Sequence, residues 1–139
     1  KEDGIRRSQR LLLTWLIETP ALFEKIEGII TADDFVENLY HQVAQMVFDG
    51  HREGNLNPAA ILSRFINDED QYKEVAALFN ASLKESLNNE EQKKAFSETV
   101  MKVRKNSLDV ASRNAKDITQ LQEIIRQQAA LKQLHISLD

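Results

Sequence analysis

NEEQKKAFSETVMKVRKNSLDVASRN, residues 89–114, contains no glycine and no proline. Asn89 can cap a helix there, and Glu90 and Glu91 put acids in its first turn, where they offset the positive end of the helix dipole. Phe96, Val100, Val103, Leu108 and Ala111 form a thin apolar seam among basic residues. At ~1.5 Å per residue the helix is roughly 40 Å long, more than a small bundle can cover. Beyond it, Asp117 can cap a last helix carrying Ile118, Leu121, Ile124, Ile125, Leu131, Leu134 and Leu138. A long helix, a short turn and a second helix read as a projecting hairpin that hides only one seam. Such a hairpin is expected to be mobile, pivoting near residues 89–97 or within the long helix. The alternative is that both helices lie flat on what precedes them.

What precedes them also reads as helical. Leu11, Leu12, Trp15 and Leu16 recur at helical spacing behind Ser8, a candidate cap for a helix ending near Glu18. Thr19-Pro20 restarts the chain: Thr19 can cap, and proline suits a first turn because its missing N–H would have no partner there. Leu22, Phe23, Ile26 and Ile30 give the next stripe, and Leu39, Val43, Met46 and Val47 the one after, stopped by Gly54. Asn57-Pro58 repeats the cap-plus-proline device ahead of Ile61, Leu62, Phe65 and Ile66. A further helix spans about 70–82 with Tyr72, Val75, Leu78 and Phe79. The expected fold is all-α: an N-terminal helical bundle over residues 5–88, a long connecting helix over 89–115, and a terminal helix over 116–139 that completes the hairpin. The expected core is Leu12, Trp15, Leu16, Phe23, Phe35, Val43, Val47, Ile61, Phe65, Leu78 and Phe79, all before residue 89. The bundle is therefore expected to fold without the hairpin.

Composition supports this class. Among 139 residues there are four glycines and two prolines, too few for a sheet-rich fold with many tight turns. The absence of cysteine excludes disulfides and thiolate zinc sites. No apolar run approaches the ~18 residues of a membrane span, and no signal peptide is recognisable. The chain begins with Lys1 rather than Met, which suggests an excerpt of a longer, cytoplasmic polypeptide. The net charge of −4 argues against a nucleic-acid-binding domain, but its distribution is uneven. Residues 18–54 sum to −6 and residues 67–91 to −5, whereas residues 93–116 sum to +5. An acidic body followed by a basic segment implies different neighbours for the two parts.

One stretch invites a catalytic reading. ITADDFVENLYHQV, residues 30–43, sets Asp33 and Asp34 ahead of His41. Thr31 and Asp34 have capping-box spacing, however, and a metal site would need further ligands: Glu37 stands four residues before His41, but no second histidine stands at that spacing. The stretch reads as a helix start with a semi-buried histidine. His51 sits in a polar helix end, and His135 stands alone in the last helix. The four glycines fit no phosphate-binding loop, and no Ser–His–acid order is recognisable. No catalytic residue, metal or cofactor is expected.

RRSQRLLLTWLIETPALFEKI (6–26), ADDF (32–35), YHQVAQMVFDGHREGN (40–55) and NPAAILSRF (57–65) resemble, in order and spacing, the C-terminal helicase-binding domain of bacterial DNA primase, the DnaG family. The resemblance covers about residues 6–85, and a tail ending in RQQAALKQL (126–134) is similar to the primase version. The N-terminal collar domain of the replicative helicase shares this bundle and is the alternative. Its leucine helix carries small residues where this chain has Thr14 and Trp15. The resemblance implies a non-catalytic domain at the replication fork that docks onto the N-terminal domain of a DnaB-type helicase, recruiting a primase and modulating unwinding. It implies zinc-binding and polymerase domains earlier in the parent enzyme. It also implies that the hairpin is the main contact, with Ile124, Ile125, Leu131 and Leu134 as anchors because large apolar groups dominate interface energetics. In some members the bundle's start accepts the acidic tail of single-stranded-DNA-binding protein, a role that would fall here to Arg6, Arg7 and Arg10 around Leu13. Neither direct nucleic-acid binding nor membrane binding is implied.

Overall fold

A computed structural model describes residues 3–83 and 86–138. Lys84, Glu85 and Asp139, which fall within the expected 5–88 and 116–139 segments, lie outside the described residues. The described chain is all-α: α1 (Gly4–Glu18), α2 (Phe23–Ile26), α3 (Asn38–Arg52), α4 (Pro58–Ser63), α5 (Glu69–Asn80), α6 (Asn89–Arg113) and α7 (Ile118–Leu131), with 3-10 turns at Pro20–Leu22 and Ala32–Asp34. None of these helices is long and apolar enough to cross a membrane.

Local chemistry sets the helix ends. Asn57 and Asp117 cap as expected, their side chains accepting from the amides of Ala60 and Gln120. Gly54 ends α3 with φ +72°, a conformation costly for any residue with a Cβ. Three caps differ from the expectation. Asp3, not Ser8, caps α1, and the Ser8 hydroxyl is buried and donates back to the Ile5 carbonyl at 2.9 Å. Asn88, not Asn89, caps α6, because only Asn88 stands three residues before Glu91 and so completes a capping box. Thr19 makes no cap hydrogen bond, and its buried hydroxyl has no partner among the described residues.

At the centre lies α1. Five consecutive residues, Leu12 to Leu16, are buried, so this helix is covered on most of its circumference rather than along one stripe. Helices α3 and α5 cover part of it, and α6 packs against it most extensively. Phe96, Val100 and Val103 of α6 are almost fully buried in the same cluster as Leu12, Tyr40, Val43 and Leu78. The Phe96 ring meets Trp15 edge-on, with centroids 6.1 Å apart. The expectation that the core is complete before residue 89 is therefore corrected. A pivot at 89–97 is corrected with it, since Phe96 is anchored in the core and α6 is continuous from Asn89 to Arg113. The expected core residues are otherwise buried, with Phe79 only partly so.

The far half of α6 behaves differently. Leu108 is 2% exposed yet lies outside the core cluster, and α7, none of whose residues is fully buried, packs on α6. The expected terminal helix over 116–139 is corrected to α7, which stops at Leu131 short of Leu134 and Leu138, and past it the chain returns toward the bundle. Ile136 is buried in the core cluster, and Leu134 and Leu138 pack against it. Deleting 115–139 thus strips material from the core, contrary to the expected independence of the bundle. Ile136→Ala should lower stability by about 1–2 kcal/mol, below the usual ~2–5 for core truncations because at 9% exposed it sits at the margin of the core. Chemical denaturation measures this, and an unchanged midpoint would show that the return segment adds nothing.

Candidate docking surface of the terminal hairpin

The Asp33–Asp34–His41 constellation does not converge. Thr31 and Asp34 form the expected capping box, the Thr31 amide donating to Asp34 Oδ2 at 2.8 Å. His41 Nδ1 donates to the Ala32 carbonyl at 3.0 Å, so the histidine braces the same turn from the other side. The sequence alone did not reveal the partner of the second Asp34 oxygen: Arg104 Nη1 lies 2.7 Å from Oδ1, and Arg104 Nη2 donates to Gln127 Oε1 at 3.1 Å. One guanidinium thus joins the bundle, α6 and α7. Among the described residues no three His, Cys, Asp or Glu side chains are grouped to hold a metal.

The residues expected to receive an acidic tail are not assembled into one open site. Arg6 pairs with Glu37 at 2.6 Å and with Glu74, and lies 4.8 Å over the Tyr40 ring. Its hydrogen bond to Glu74 raises its pKa above the ordinary arginine value, and its role here is to clamp α1 to α3 and α5. Arg7 is exposed, Arg10 is half-buried with its polar group engaged, and Leu13 is completely buried.

The four expected anchors on the hairpin divide between two environments. Ile125 is 52% exposed, whereas Ile124 and Leu131 are half-buried and Leu134 packs against the core. Two residues not singled out as anchors complete an open stripe with Ile125: Ile118, 72% exposed, and Leu121. Spacings of three and four place all three on one helix face. That spacing was available in the sequence, but periodicity cannot say which of α7's two apolar faces meets α6.

Polar contacts orient α7. Besides the Arg104–Gln127 bond, Gln128 donates to Asp109 Oδ1 at 3.2 Å, and Asp109 also accepts from Lys105 at 2.9 Å. The Lys105 hydrogen bond holds the Asp109 carboxyl below its ordinary pKa, helped by Gln128. On the outer surface Arg126 bonds Glu123, and with Gln127 it pushes the Glu123 pKa down to about 2. A depressed carboxylate pKa contributes stability above the unfolded value and loses it as pH falls through the folded one. An NMR titration of the Glu123 carboxyl should therefore show a midpoint near 2. In Arg126→Ala it should move toward the ordinary glutamate value of about 4.3. A midpoint unaffected by that substitution would mean the pair does not persist in solution.

The fold and this surface define an all-α chain whose most open apolar stripe lies on its last helix. No family model, curated protein or solved structure matches the chain.

Proposed function

We propose that this chain is the non-catalytic C-terminal domain of a DnaG-type bacterial DNA primase, binding the N-terminal domain of a DnaB-type replicative helicase. In that role it brings primer synthesis to the fork and modulates the helicase, acting in the cytoplasm. The observation that carries the reading is the Ile118–Leu121–Ile125 stripe, which leaves large apolar side chains open on a hairpin whose other face is occupied. An exposed apolar face of this kind marks a protein contact. The ordered primase-like motifs of residues 6–65 supply the partner's identity.

The test is a binding titration against a DnaB-type helicase. Replacing Ile118 and Ile125 together with Asp should weaken binding more than about tenfold, or ~1.4 kcal/mol, with melting unchanged because both side chains are open to solvent. Leu134 is unsuitable for this purpose, since its packing on the core would confound binding with stability. Ile66→Asp, on the bundle and 67% exposed, is the control. Normal binding by the double variant together with loss in the control would overturn the hairpin assignment. Assembly of the isolated chain into rings would point instead to the collar domain of a helicase.

A further inference from the structure

On the side of the hairpin away from Arg104 and Gln127, α6 and α7 enclose a groove of about 430 Å³. Its lining is mainly apolar, centred on Met101 and Leu131, both half-buried. Lys102, Lys105 and Lys132 edge it, and all three are exposed. Its single carboxylate, Asp109, is already engaged by Lys105 and Gln128 and adds little negative field.

We propose that this groove docks an acidic amphipathic helix of a partner protein, seating one bulky apolar side chain against Met101 and Leu131 and placing carboxylates beside Lys102, Lys105 and Lys132. The groove shares no residue with the Ile118–Leu121–Ile125 stripe that carries the function proposed above, and of the expected helicase anchors it takes in Leu131 alone. Three features select this occupant. Two antiparallel helices offer a third helix a ready furrow for ridge-into-groove packing. Lysine stems extend an apolar wall while their ammonium groups stay in water, so the rim recognises charge and the interior recognises apolar bulk. Neither Lys102 nor Lys132 pairs with an acid among the described residues, so partner carboxylates would meet cations whose charge is not already neutralised. Nucleic acid fits less well: phosphates gain nothing from a methionine–leucine lining, and no aromatic ring lines the groove for base stacking.

The chain's two methionines give a direct readout. Both pack against the core, but of the two Met101 lines the groove and Met46 does not. The 139-residue chain with carbon-13 methionine methyls is titrated with a synthetic helical peptide carrying leucine on one face and glutamate elsewhere. The expected result is a shift of the Met101 methyl with Met46 unmoved. A twin peptide with glutamine in place of glutamate should bind at least about tenfold more weakly, as should Lys102→Glu with Lys132→Glu, whose melting should be unchanged. Lys102→Gln with Lys132→Gln should fall between. Failure of Met101 to shift, equal binding of the glutamine twin, or movement of Met46 instead would each overturn the proposal. Displacement of the peptide by a single-stranded oligonucleotide of higher affinity would overturn it in favour of a nucleic-acid site.

Discussion

Phe96→Ala lowers the stability of the entire chain by about 3–5 kcal/mol and leaves a single unfolding transition. The ring is 1% exposed, stands edge-on to Trp15, and belongs to the cluster that includes Val43, Val75 and Ile136. Removing it opens a void at the meeting of α1 and α6, and packing is too dense there for neighbours to fill it freely. A residue in a loosely attached hairpin would behave otherwise, costing little and splitting the transition in two. Calorimetry and denaturant titration distinguish the cases. Pairing Phe96→Ala with Trp15→Leu should show non-additivity, since aromatic edge contacts contribute about 0.5–1.5 kcal/mol beyond area.

Arg104→Ala is the second large expected effect, about 2–3 kcal/mol. Breaking a fully buried ion pair costs about 3–5 kcal/mol because a charge is left unsolvated. The Arg104 side chain is 25% exposed, which discounts the figure, while Asp34 at 5% exposed keeps most of the penalty. The Thr31 amide remains as one donor to Asp34, so the carboxylate is not wholly orphaned. Asp34→Asn should cost less, because the amide oxygen can still accept in the capping box and Arg104 can reach water. The double variant should then lose less than the sum of the two. Hydrogen exchange should also quicken in α7, whose Gln127 shares the same guanidinium. Additive losses, or exchange in α7 that does not change, would show that the joint is not coupled.

Sequence and structure agree most where the information is local. The Asn57 and Asp117 caps, the Gly54 stop, the Thr31–Asp34 box and the stripes of Val43, Val47, Ile61 and Phe65 follow from hydrogen-bonding groups and spacings within one or two turns. Two caps are displaced, from Ser8 to Asp3 and from Asn89 to the adjacent Asn88, and Thr19 keeps its N-cap position without a side-chain hydrogen bond. Which apolar residues of the terminal segment stay open was half legible. Leucine and isoleucine positions on α7 were plain, but two overlapping apolar faces fit the same pattern, and only tertiary packing separates half-buried Leu131 on α7, and Leu134 beyond it against the core, from Ile118 and Ile125.

By itself, then, the sequence determined an all-helical chain, the order of its helices, most of their ends and the identity of most core residues, because helix propensity, caps and periodicity act over a few residues. Only the tertiary structure decided that α6 completes the core of α1, that Ile136 returns to it, and that Asp34 has a partner 70 residues away. Burial is a shared property of surfaces brought together from distant parts of the chain. The apolar seam of α6 looks the same in sequence whether it meets a neighbour, a partner or water, and its location in the folded chain depends on how much of α1 the other helices leave uncovered.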